Sequence, residues 1–320
     1  MTSKDTVHVA TEATEGNANP GGPSIQDAML SIEQLLLDVV NSDVEVLRDA
    51  SRHILKAGGK RIRPRLMLLC FVATGGTDLS TLIRPAAAIE LVHTASVVHD
   101  DINDHGVVRR GRPSVNAMWG RTFALLTGDY LFSKVYELMA PYQDLNVLFA
   151  EATTALVEGE TLQATAVKND NFSQEVYYEI IARKTAALFR VGAILGAKLS
   201  NAADDVVEAL GRFGYNIGLA FQIADDILDL VGDETELGKT AGLDLAQGKG
   251  FASVHDNGGE HGGVLESIRD RARDGDTIEA AQEQAQFLVQ TAIDALSALP
   301  GSQHKDLLID LAQSVVDRRS

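Results

Sequence analysis

A single cysteine, Cys70, is all the thiol chemistry in this 320-residue chain, and one cysteine excludes any intrachain disulfide. It stands in the apolar run Leu66-Met67-Leu68-Leu69-Cys70-Phe71-Val72, the setting of a buried, inert thiol in a reducing cytoplasm. Basic residues are scarce too: 28 Lys and Arg stand against 45 Asp and Glu, a formal net charge of −17. Phosphate backbones need clustered cations, so a general nucleic-acid surface is excluded. The acidity reads as solubility or mild salt adaptation, and any anionic ligand must be drawn by local basic groups and metal. No run of 18 uninterrupted apolar residues occurs, which excludes a conventional membrane-spanning helix. Residues 1–24, rich in Thr, Glu, Asn, Gly and Pro, have neither an apolar targeting core nor an Arg-rich amphipathic pattern, and are expected to form a disordered lead-in.

Only seven prolines occur, and alternating strand patterns are rare. From Ile25 onward the apolar spacing is helical, as in Ile32, Leu35, Leu36 and Val39 or Val207, Leu210, Phe213 and Ile217. Pro64, Pro113 and Pro141 punctuate turns or helix starts. Hydrophobic content of 45% is ample for a core, so the pattern predicts an all-α fold with one domain over 25–320. Its least helical stretch is Gly248 to Gly263, where six glycines argue for a mobile loop.

Against that background one pattern stands out. Asp100-Asp101-Ile102-Asn103-Asp104 and Asp225-Asp226-Ile227-Leu228-Asp229 place the same carboxylate spacing in two apolar, helical contexts. Helix positions four apart share a face, about 6 Å apart along the axis, so each motif should project its carboxylates together. Like charges among apolar neighbours are costly unless cations neutralise them. A single copy would read equally well as a solvated helix face or a cap, but two copies followed by basic residues do not. Oxygen-only donors favour a hard ion, and Mg²⁺ typically bridges one or two carboxylates to a substrate phosphate. A diphosphate substrate is implied. The basic groups form two clusters: Gly58-Gly59-Lys60-Arg61-Ile62-Arg63-Pro64, where Lys60 and Arg63 can converge on one oxyanion, and Arg109-Arg110-Gly111-Arg112-Pro113, just after the first motif.

These segments, with His93, Gly128-Asp129-Tyr130-Leu131-Phe132, Gly159-Glu160-Thr161-Leu162-Gln163, Lys184-Thr185, Phe221-Gln222 and Gly238-Lys239, resemble the trans-polyprenyl diphosphate synthases nearly end to end, and the long-chain members most. The resemblance implies a homodimeric isoprenoid synthase fold with antiparallel helices around a deep cavity. It also implies a chain-elongating transfer from an allylic diphosphate to isopentenyl diphosphate. On that reading Asp100, Asp101 and Asp104, with Asp225, Asp226 and Asp229 opposite, hold Mg²⁺ ions that grip the allylic diphosphate. Arg109, Lys184 and Lys239 bind the same group, while Thr185 and Gln222 turn dipoles toward the developing carbocation. Lys60, Arg63, His93 and Arg110 form the isopentenyl diphosphate pocket, and His99 and His105 take no catalytic step.

The growing chain is expected to run back along the helix of the first motif, so Ala95 and Ser96 would form the floor. Small residues there leave the tunnel open for a long product, with Leu138, Met139 and Phe149 as candidate lower stops. The family pattern breaks down after Gly248-Lys249, which leaves the role of Lys249 open. A class I terpene cyclase would share one DDxxD motif but not the second, nor the Gly-Lys-Arg-Ile-Arg-Pro segment. A non-catalytic partner subunit should have lost carboxylates or basic anchors, whereas the catalytic half of a two-component synthase, or a synthase of shorter products, remains open. On this reading product release involves transient membrane contact.

Overall fold

The computed structural model describes residues 24–169, 171, 173–231 and 275–317. The lead-in before residue 24, Lys239, Lys249 and the loop from Gly248 to Gly263 lie outside the described residues.

Helix α1 (Ile25–Val39) starts where the lead-in composition ends. Ser24 caps it: its hydroxyl accepts from the Asp27 N–H at 3.1 Å while the Asp27 carboxylate accepts from the Ser24 N–H at 3.0 Å, a capping box that satisfies otherwise orphaned donors. The next elements are α2 (Glu45–Lys56), α3 (Ile62–Ala73) and α4 (Ile83–Asn103). Helices α3 and α4 are apolar on nearly every side, as fully buried helices must be, and Pro64 and Pro85 sit in their first turns, where a missing N–H costs nothing. Cys70 is buried in α3, and burial pushes its thiol pKa up.

After α4 the chain forms a hairpin, β1 (Val108–Arg109) against β2 (Arg112–Pro113). Arg110 and Gly111 at its tip have φ of 52° and 69°, the left-handed pair that a tight two-residue hairpin turn requires. Then follow α5 (Val115–Trp119), α6 (Arg121–Met139), α7 (Gln143–Asn169), α8 (Gln174–Ile181), a π-helical turn over Ala182–Ala186, α9 (Ala187–Leu199) and α10 (Asp204–Val231). Helices α11 (Gly275–Ala295) and α12 (Gln303–Val316) close the described chain. Apart from that hairpin the described residues are all-α, in agreement with the apolar spacing.

Two apolar clusters form the core. One joins α1, α2, α4 and α6 through residues such as Ile32, Ile54, Leu91 and Leu138. The other joins α3, α9, α10, α11 and α12 through Leu69, Phe189, Phe213, Ala292 and Leu308. The polar cavity described below takes its walls from α3, α4, α7, α8, the π turn, α9 and α10.

Candidate active site

Both carboxylate motifs face one cavity of about 170 Å³. The first lies at the C-terminal end of α4, where the helix dipole already presents negative charge, and only two of its three carboxylates line the cavity: Asp100 and Asp104. The shared face expected from the sequence is thus incomplete. The helix ends at Asn103 with Asp104 as its cap, and Asp101, about 100° round the helix from Asp100, is fully buried. There Arg109 donates to its Oδ1 from Nε and Nη2, at 2.9 and 2.7 Å. Its other oxygen, Oδ2, is buried with no hydrogen-bond partner. Burial raises the Asp101 pKa, Arg109 works against that rise, and Asp100 and Asp104 add to it.

On α10, Asp225 and Asp226 line the opposite wall, while Asp229 is buried and does not reach the cavity. A hydrogen-bonded chain crosses this wall. Thr185 Oγ1 donates to Gln222 Oε1 at 2.7 Å, Gln222 Nε2 donates to Asp226 Oδ1 at 2.8 Å, and the Tyr177 hydroxyl donates to Asp226 Oδ2 at 2.7 Å. Burial, and then Asp226, raises the tyrosine pKa well above its ordinary value, so Tyr177 stays a proton donor. Asp226 therefore holds Gln222 and Thr185 in place.

Lys184 comes from the π turn, a departure from α-helix often found at functional sites. Its ammonium donates to Glu160 Oε2 and Gln163 Oε1, each at 2.9 Å, and lies 3.6 Å from Asp100 Oδ2. Burial alone would lower its pKa, but Asp100 and Glu160 outweigh burial and raise it. Burial likewise pushes Glu160 up to about 7, against the pull of Lys184 and with Asp100 adding to the rise. Close approach of α7 to the π turn depends on Gly159: a Cβ there would fall 2.5 Å from the backbone nitrogen of Lys184. Gly159→Ala must shift that turn, and the expected result is a loss of roughly tenfold in kcat, about 1.4 kcal/mol. Steady-state kinetics would check it, and unchanged turnover would mean that the position of Lys184 is not critical.

The basic residues divide. Arg63 and His93 line the cavity, whereas Lys60 is exposed and neither it nor Arg110 reaches that space. The Arg63 guanidinium lies 4.7 Å from the Phe189 ring centroid and 5.9 Å from that of Phe221, a cation–π setting that fixes its plane. His93 is held well below its ordinary pKa by burial and then by Arg63, Arg110, Arg61 and Arg109, so it is neutral at pH 7. Arg110 packs over Gly59: a Cβ there would fall 2.8 Å from its Nη1.

Ser96 lines the cavity one turn before Asp100, and its hydroxyl donates to the His93 carbonyl at 2.9 Å. Ala95 does not line it. Its side chain is buried in the core cluster that also holds Leu138, Met139 and Phe149. His99 is placed structurally, against Gly128 and with Nε2 at 3.2 Å from the Leu125 carbonyl.

The sequence alone assigns Glu160, Gln163 and Tyr177 no role. The first two carry a signal in their spacing, since i and i+3 on one helix can grip one cation. Tyr177 carries none.

The sequence pattern of the polyprenyl synthetase family matches residues 44–282. The chain belongs to the polyprenyl synthetase family. It is a prenyltransferase. This synthase is 34% identical over 314 residues to the all-trans-nonaprenyl-diphosphate synthase (geranyl-diphosphate specific) of Rhodobacter capsulatus, covering 92% of this chain and 96% of that one. It superposes with a TM-score of 0.84 on the polyprenyl synthase of Caulobacter crescentus, solved with calcium and isoprenyl diphosphate, at 31% identity over 92% of this chain and 96% of that one. The geranylgeranyl pyrophosphate synthetase of Pyrococcus horikoshii Ot3 also gives a TM-score of 0.84, at 35% identity over 92% of this chain and 97% of that one.

Proposed function

We propose that this synthase condenses isopentenyl diphosphate with an allylic diphosphate, farnesyl or geranylgeranyl, in a Mg²⁺-dependent reaction, and repeats the step to a long-chain polyprenyl diphosphate. The observation that carries the reading is the pair of aspartate-bearing walls facing one cavity together with Lys184, Arg109, Arg63 and His93. Residues 25–320 are read as the catalytic unit. The donors fit a divalent ion: they are carboxylate oxygens presented to one cavity from two facing helices. Among the described residues no three Asp, Glu, His or Cys side chains converge closely enough to hold a metal by themselves. That suits Mg²⁺, which keeps waters and takes substrate phosphates as ligands. Asp100 and Asp104 on one wall and Asp225 and Asp226 on the other would each hold such ions through the substrate diphosphate, with Asp229 behind them, and when bound the ions would neutralise charge on the departing pyrophosphate.

The remaining roles belong to the protein. Lys184 has three N–H donors and Arg109 five, so each can bind the allylic diphosphate while staying anchored to its carboxylate; Lys239 joins them. As the allylic C1–O bond breaks, its electron pair leaves with pyrophosphate, and these preplaced cations stabilise the developing charge. Thr185 and Gln222, tied to Asp226 and Tyr177, turn polar but non-nucleophilic oxygens toward the carbocation. Apolar groups on the cavity wall, among them Leu156, Ile180 and Leu188, exclude water that would trap it. The double bond of isopentenyl diphosphate, held in the cavity by Arg63 and His93 with Lys60 and Arg110 placed outside it toward the diphosphate, attacks C1, and a proton lost from C2 of isopentenyl diphosphate passes to the released pyrophosphate.

One observation favours a shorter product: the cavity, at about 170 Å³, is smaller than ordinary ligand pockets of roughly 300 Å³ upward. A long chain must therefore open the floor beyond Ser96. Incubation with Mg²⁺, labelled isopentenyl diphosphate and farnesyl or geranylgeranyl diphosphate, followed by sizing of the dephosphorylated products, decides the point. Products longer than geranylgeranyl are expected, and termination at geranylgeranyl or below would establish the shorter-chain reading. A homodimer is proposed as well, supported by exposed Phe123 and Tyr136 on α6 and Val147 and Val157 on α7.

A further inference from the structure

We propose that Arg61 is a positioning residue for the isopentenyl diphosphate pocket, one that touches no substrate but locks the turn carrying Lys60 and Arg63 to the face of α4 that carries His93. The inference rests on the assignment of that pocket in the preceding section. Arg61 adopts φ 47° and ψ 40°, a left-handed conformation that costs free energy for any residue with a Cβ. Gly58 and Gly59, just before it, have φ of 77° and 149°. A turn built this way holds its shape only if its surroundings over-determine it.

The Arg61 side chain supplies that determination. Nε donates to Glu33 Oε1 at 2.6 Å on α1, Nη1 to Glu90 Oε1 at 2.7 Å on α4, and Nη2 to the Leu55 carbonyl at 3.0 Å in the last turn of α2. Three helices thus hold one guanidinium. The side chains of Arg61 and Glu90 are 4% and 3% exposed, so breaking the pair leaves a buried charge uncompensated. Residue 90 lies one helical turn before His93, while Lys60 precedes Arg61 directly and Arg63 follows two residues later. Glu90 also opposes the mutual repulsion of Arg61 and Arg110, and Arg110 in turn packs on Gly59. The ion pair therefore fixes the spacing of the basic groups before substrate arrives. A planar fork meeting three acceptors at once is something a lysine ammonium cannot reproduce.

The test compares Arg61→Lys with Arg63→Ala in the full-length enzyme, measuring kcat and the KM of each substrate, with thermal melting as a check on folding. A displaced pocket should raise the KM for isopentenyl diphosphate about tenfold or more in Arg61→Lys. The KM of the allylic primer should stay within about twofold and kcat within about threefold. Equal changes in both KM values, or none, while Arg63→Ala raises the isopentenyl diphosphate KM selectively, would overturn the positioning role but keep the pocket. If Arg63→Ala itself shows no selective effect, the pocket assignment fails first and the proposal with it. If Arg61→Lys does not fold, Glu33→Gln, which weakens only the half-exposed arm of the clamp, takes its place. A selective rise of roughly threefold is then expected, and an unchanged KM overturns the proposal.

Discussion

Asp100→Ala and Asp225→Ala should each lower kcat by at least roughly 100-fold, about 2.7 kcal/mol, in protein that melts close to the wild-type temperature. Each carboxylate lines the cavity and is partly accessible to solvent, so its removal takes an oxygen donor from the cavity without opening the core. Lys184 keeps Glu160 and Gln163 as partners when Asp100 is gone. Asp101→Ala should behave differently, losing stability as well as activity, because Arg109 would be left without the carboxylate that holds it. Steady-state kinetics at saturating Mg²⁺, beside thermal melts, checks both statements. Near-normal turnover in Asp100→Ala or Asp225→Ala would remove the case for two opposed carboxylate walls acting on one diphosphate.

Ser96→Phe should shorten the main product to farnesyl or geranylgeranyl length while first-condensation activity survives. Ser96 lines the cavity one turn below Asp100, so a phenyl ring there projects across the proposed path of the growing chain and leaves the aspartate-bearing end of α4 in place. Ala95→Phe should act less cleanly. Its side chain is buried in the core, where overpacking costs about 1–3 kcal/mol, so a lower melting temperature should accompany whatever shortening occurs. Sizing of the dephosphorylated products from both variants separates the two effects. An unchanged distribution in Ser96→Phe would move the floor to another residue.

Much of this protein is determined by short-range pattern. Apolar spacing at three and four residues specifies helices, and α1 begins at the residue where that spacing begins. Charge density works the same way: paired aspartates in apolar sequence demand cations wherever the helices end up, so both motifs and the segment from Gly58 to Pro64 were legible without a fold. Tertiary structure decided which of those groups act together. Asp101 turned inward to Arg109 because a helix rotates about 100° per residue, and Asp104 left the helix altogether as its cap. Lys184 reached Glu160 only because a glycine lets α7 meet the π turn, and Tyr177 reached Asp226 across 49 positions of chain. Arg61, which in sequence is one cation among several, became the buried clamp of three helices. Contacts of this kind depend on how helices pack and on which side chains have lost water, and neither quantity is carried by neighbours along the chain.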